Sequence, residues 1–149
     1  KLEINTTEHF QVLDLQHLNY EVNSAWFSGS TKIATYYLEE MIATKLRALY
    51  QRRKGRDLFD LWLVLRKNLV DIDKVIMIFM KYFERESQNI SRTLFEKNLI
   101  EKKLNNDFQN DMDLLLPVDS NWVFEEGFDL VWKQLISKIP EKANNISVL

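Results

Sequence analysis

Two periodicities divide the chain. Over the first 36 residues the apolar positions alternate or scatter, and from residue 37 onward they recur every three or four. Lys1-Leu2-Glu3-Ile4-Asn5 puts Leu2 and Ile4 on one face and Lys1 and Glu3 on the other, the pattern of a half-buried strand. Residues 11–16 (QVLDLQ) and 31–37 (TKIATYY) carry weaker strand signals, and residues 22–30 (VNSAWFSGS) read as a loop between them. Then Leu38, Met41, Ile42, Leu46 and Leu49 predict a first long helix, which Gly55 stops. A second helix begins near Arg56 and is apolar almost all round from Leu58 to Leu65, as a buried central helix is. Val75, Ile76, Phe79, Met80 and Phe83 predict a third helix, and Leu94, Phe95, Leu99 and Ile100 a fourth. Phe108, Met112, Leu115 and Leu116 predict a fifth, ending before Pro117, and the stripe from Phe124 to Ile139 a sixth, stopped by Pro140. The fold class is α+β, predominantly α: a short β segment over 1–36, a bundle of about six helices over 37–140, and a frayed tail over 141–149.

At 149 residues and 46% hydrophobic content, the chain can bury one sizeable core. A net charge of −2 rules out a globally basic coat for nucleic acid, so any polyanion binding is local. There is no cysteine, which excludes disulfides and thiolate metal sites and fits a cytoplasmic location. His9 and His17 do not have zinc spacing, and "SGS" at 28–30 is not a phosphate loop, since no Gly-Lys-Ser/Thr follows. No apolar run approaches the ~20 residues of a membrane span, so no membrane partner is expected. Trp26, Trp62, Trp122 and Trp132 read as core residues. The chain opens at Lys1 without an initiator Met, and the expectation is a piece of a longer protein.

Charge changes the picture between residues 44 and 62. Lys45, Arg47, Arg52, Arg53, Lys54 and Arg56 crowd into twelve positions and run into Asp57 and Asp60. Lys45 falls inside the apolar stripe of the first helix, so it either finds an anion or snorkels to water, and periodicity leaves both open. Arg52, seven residues on, lies on nearly the same face, about 10 Å up the axis, where the pair could hold a phosphate chain. Arg53 and Lys54 read as compensation of the helix dipole. Asp57 is placed as an N-cap of the second helix, with Asp60 completing a capping box, and a fold-back at Gly55 would also bring Asp57 to Lys45. An Arg56–Asp60 pair at i, i+4 is a further structural option. Glu3, taken alone, is an exposed strand carboxylate.

"KLEIN" followed by "TYYLEEMIATKLRALYQRRKGRDLFDLW" resembles the AbiEii/AbiGii family of nucleotidyltransferase toxins, which act in bacterial type IV toxin–antitoxin and phage abortive-infection systems. The residues that carry the resemblance are Leu38-Glu39-Glu40, Lys45, Arg52 and Arg56-Asp57-Leu58-Phe59-Asp60. It is specific over residues 36–62 and loosely compatible with the helices that follow. The resemblance implies that residues 1–36 are the remnant of a polymerase-β-like nucleotidyltransferase core. It also implies that Lys45 and Asp57 are catalytic, that Lys45, Arg52 and Arg56 bind nucleotide phosphates, that Asp60 supports them, and that Glu3 lies on the strand of the third metal carboxylate. Asp57 would orient Lys45 or assist the metal shell. The implied cofactors of the intact protein are Mg²⁺ and a nucleoside triphosphate, the implied acceptor is an RNA such as tRNA, and the implied partner is a cognate antitoxin, with no direct contact required.

In that core a Gly-Ser motif and an Asp-x-Asp pair precede the strand resembling Lys1–Asn5, and this sequence, which opens on that strand, lacks both there. The expectation is therefore a C-terminal portion that is inactive by itself and needs no cofactor. Two rivals stand beside it: a non-catalytic helical module that binds RNA or a protein through the basic turn at 52–56, and a plain bundle with a solvated charge cluster.

Overall fold

A computed structural model describes residues 10–117 and 119–141. The strand expected at Lys1–Asn5, with Glu3 on it, and the tail beyond residue 141 lie outside the described residues. The fold is α+β and predominantly α: among the described residues, a two-stranded antiparallel sheet is followed by six helices.

The strands are β1 (Gln16–Asn23) and β2 (Ser28–Thr35), paired from Gln16 opposite Thr35 to Asn23 opposite Ser28. Residues 22–30, expected as a loop, supply both strand ends and the turn between them. Ser24 closes that turn: its backbone N–H donates to the carbonyl of Phe27, and its Oγ accepts from the Phe27 N–H. Residues 11–15, expected as part of a strand, are irregular. The amides of Val12 and Leu13 donate to a side-chain carboxylate, Glu40, so they are spent before any strand ladder can use them.

The helices are α1 (Leu38–Gln51), α2 (Gly55–Arg66), α3 (Ile72–Arg85), α4 (Arg92–Lys103), α5 (Asn106–Gln109) and α6 (Phe124–Gln134). Caps set several of their starts: Asp71 accepts from the Lys74 amide, Ser91 from Leu94 and Asn105 from Phe108. The core joins Ile42, Leu46 and Leu49 of α1 to Leu58, Leu61 and Leu65 of α2, and to Ile78, Phe79 and Phe83 of α3. Phe95, Leu99, Phe108, Val131 and Ile136 close it from the other helices.

Four expectations change. The fifth helix is a single turn, because past Met112 the residues Leu114 and Leu115 are exposed and bury nothing that would extend it. The sixth ends at Gln134 and tightens into a 3-10 turn, Ile136–Lys138, before Pro140. α2 is not apolar in its surroundings all round, since Arg56, Leu63 and Arg66 face solvent. Of the four tryptophans, Trp62 is buried and Trp122 and Trp132 pack partly against the core, but Trp26 is 95% exposed at the hairpin turn.

Candidate functional site

The charged turn is built on a close approach. α1 ends at Gln51, the chain runs extended through Arg52, and α2 starts at Gly55. Gly55 is buried against α5: a Cβ there would overlap the carbonyl oxygen of Phe108 and press on the side chain of Asp111. With only a hydrogen in that space, α2 starts close enough for Asp111 Oδ2 to accept from the Arg56 N–H at 3.0 Å. A carboxylate 55 residues downstream thus caps the helix. Gly55 serves less to stop α1 than to let α2 begin.

Asp57 is therefore not the N-cap. That position is Lys54, without a side-chain bond, and Asp57 is the third helical residue. Its carboxylate is fully buried and points back across the turn. Arg52 Nε donates to Oδ2 and Nη2 to Oδ1, both at 2.7 Å, a planar two-point pair. Lys45 Nζ lies 3.6 Å from Asp57 Oδ1 and 2.6 Å from Asp60 Oδ2. The lysine does not simply snorkel: its stem lies beside the apolar stripe and its ammonium ends on two carboxylates. Asp60 pairs with Lys45, so the alternative i, i+4 partner of Asp60, Arg56, is passed over. The Arg56 side chain is exposed and, among the described residues, has no acidic partner.

The fold thus gathers Lys45, Arg52, Asp57 and Asp60 and leaves Arg56 at their rim. Side-chain exposures of 37% for Lys45 and 51% for Arg52, against none for Asp57, put the anion beneath and the cations toward solvent. The Asp57 bond raises Arg52 above its already high pKa, with the charges of Asp57, Asp60 and Asp111 acting in the same direction against some desolvation. Arg52 stays a fixed cation at any physiological pH.

Sequence reasoning missed two buried charges that hold α1. Glu40 anchors its start on the chain at Val12 and Leu13. At the other end Lys102, from α4, donates to the carbonyls of Leu49 and Tyr50. Those are orphan acceptors of the last helical turn, and the last turn of α1 itself holds no cation. Lys102 therefore fills the dipole-compensating place expected of Arg53 and Lys54. No sequence signal near Lys102 marks it, because its partners lie about fifty residues away.

Burial pushes the Lys102 ammonium down to about 8, and the nearby Arg53 charge pushes the same way, against a smaller opposing pull from Asp57. An unfolded chain keeps an ordinary lysine near 10.5. Between those two values the unfolded state holds a proton that the folded state has released, so stability rises with pH across that window. The rise should reach at most about 3 kcal/mol. Lys102→Met should flatten it. Urea unfolding of both proteins from pH 7 to 10.5 checks this, and parallel curves for the two would refute it.

The described residues do not suit a resident Mg²⁺, since they contain no group of three or more acidic or histidine side chains placed to hold one. The Asp-x-Asp spacings at 71–73 and 111–113 sit at helix ends, where Asp71 and Asp111 are already capping. Glu3, on the strand expected to carry the third metal carboxylate, lies outside the described residues. No helix among the described residues is long and apolar enough to cross a membrane. A protein-family model described as the nucleotidyl transferase AbiEii toxin of a type IV toxin–antitoxin system matches residues 1–130. No curated protein and no solved structure matches the chain.

Proposed function

The chain belongs to the AbiEii family of nucleotidyl transferase toxins of type IV toxin–antitoxin systems, and from that premise we propose that its charged turn holds the phosphates of a nucleoside triphosphate during transfer to an RNA acceptor such as tRNA. The observation that carries the reading is the buried Asp57 carboxylate, which fixes Arg52 by two bonds and draws Lys45 to the same place. Arg52 spends Nε and Nη2 on Asp57 and keeps Nη1 for a ligand, while Lys45, with three donors and two carboxylate neighbours, keeps one. Two oriented cations with donors to spare, half open to solvent over a buried anion, suit a triphosphate better than a plain solvated helix end.

In the transfer, an acceptor hydroxyl oxygen forms a bond to the α-phosphorus and releases its proton to water, the bond to the pyrophosphate oxygen breaks, and pyrophosphate leaves with the electron pair. Lys45 and Arg52 would stabilise charge growing on the phosphate oxygens, Asp57 would hold both in place, Asp60 would support Lys45, and Arg56 would meet phosphate at the rim. Mg²⁺ would supply further charge neutralisation from residues outside those described, with Glu3 the candidate ligand. The working protein would act in the cytoplasm, opposed by a cognate antitoxin.

A single substitution tests this. Lys45→Met in the intact protein should lower nucleotide transfer by about 100-fold or more, as loss of one oriented donor does. It should change stability by less than about 1 kcal/mol, because Asp57 keeps Arg52 and Asp60 is partly exposed. Transfer from a labelled nucleoside triphosphate to total tRNA, with a melt alongside, reads both. Full activity would remove the catalytic role. Arg53, Lys54 and Arg56 are exposed and, among the described residues, have no acidic partner, which favours a second reading as an RNA-binding surface. Binding alone predicts that Lys45→Met leaves toxicity intact.

A further inference from the structure

Glu40 is 1% exposed, a carboxylate in the first turn of α1 beside core residues that are otherwise apolar. Such a group is costly to bury unless its oxygens are met. They are met by an unusual set. Oε1 accepts from the Val12 N–H and Oε2 from the Leu13 N–H, each at 3.0 Å. The Tyr82 hydroxyl, from α3, donates to Oε1 at 2.5 Å and also lies 3.3 Å from the Phe10 carbonyl. The Phe10 ring meets Tyr82 edge-on, with the Arg85 guanidinium 4.1 Å above it. One side chain thus ties an irregular segment to two helices.

A hydrophobic contact could supply stability there, but it would not fix two consecutive backbone amides on the two oxygens of one planar group. We propose that Glu40 is a positioning residue: by clamping Val12 and Leu13 it sets how residues 10–13 sit on α1, relative to Lys45. The two residues are five apart on one helix, about 7.5 Å along its axis. They face different neighbours, Glu40 the incoming segment and Lys45 the start of α2. With Lys102 locking the far end, α1 acts as a rigid beam between residues 10–13 and the charged turn. This role rests on the nucleotidyl-transfer reading of Lys45.

The test uses the intact protein with Glu40→Gln, Tyr82→Phe, Lys45→Met and, as a stability control, the distant core change Ile136→Val. Glu40→Gln should speed hydrogen exchange at Val12 and Leu13 and lower kcat by about tenfold, the scale of a small misplacement of reacting groups. KM for the nucleotide should stay within about twofold, since Arg52 keeps its bonds to Asp57 and Lys45 its ion pairs with Asp57 and Asp60. Tyr82→Phe should shift both readouts the same way by less. Ile136→Val should lower the melting temperature with kcat unchanged. Unchanged exchange at Val12 and Leu13, or unchanged kcat with faster exchange, overturns the positioning role. So does a kcat that falls in Ile136→Val as far as in Glu40→Gln at equal loss of melting temperature. Full activity in Lys45→Met brings down the functional reading and the positioning role with it, whereas full activity in Glu40→Gln alone leaves the functional reading standing.

Discussion

Asp57→Asn should leave a folded but inactive protein that is less stable than the parent by about 2–3 kcal/mol, the scale for hydrogen bonds to charged groups. An N-cap at this position would have made the change nearly harmless, because Asn caps about as well as Asp. The carboxylate instead sits at the third helical position, fully buried, with Arg52 on both oxygens and Lys45 close by. The amide keeps the volume but turns one acceptor into a donor, which then faces a guanidinium N–H. It also removes the buried negative charge between Arg52 and Lys45. The cost stays below that of a fully buried broken pair because Arg52 and Lys45 can take up water when released. Urea unfolding and the tRNA-labelling assay, run on the same preparation, read the two effects. Unchanged stability would mean that the buried pair contributes little, and full toxicity at matched expression would mean that the turn is a helix end and nothing more.

Trp62→Ala should cost about 3–5 kcal/mol, the range for truncating a large buried aromatic. Trp62 is 5% exposed and lies on the seam between α2 and α6. Its ring meets Trp122 at 5.0 Å between centroids and Phe59 at 5.5 Å, with the Arg66 guanidinium 5.2 Å above it. Trp122 in turn lies over Gly127 of α6, where a Cβ would run into the indole, so neighbouring side chains have little room to collapse into the space left behind. Because α2 also carries Asp57 and Asp60, loosening this seam should reduce activity as well as stability. Chemical denaturation checks the magnitude, and a loss under about 1 kcal/mol would show that the seam is peripheral to the fold.

The sequence alone determined the first four helices and the start of the last, because an apolar stripe of period 3.6 needs a buried face, but the stripe from Phe108 to Leu116 became a helix for one turn only. The sequence also offered, without deciding, a charged turn that closes on itself, which the structure shows. Lys45, Arg52, Asp57 and Asp60 lie within sixteen positions, across one break between two helices, so a single fold-back brings them together. Periodicity says which face of an element is buried but not what it is buried against, and tertiary packing decides the latter. The cap of α2 comes from Asp111, the lock on the end of α1 from Lys102, and the clamp on its start joins Glu40 to Val12 and Leu13. Each of these pairs is separated by 27 to 55 residues, and each puts a charge on backbone groups, which every sequence position carries alike. The same limit explains Asp57. Its position suited an N-cap, and only the packing of Gly55 against Phe108 decided that Asp111 would take that task and leave Asp57 free to turn toward the cations.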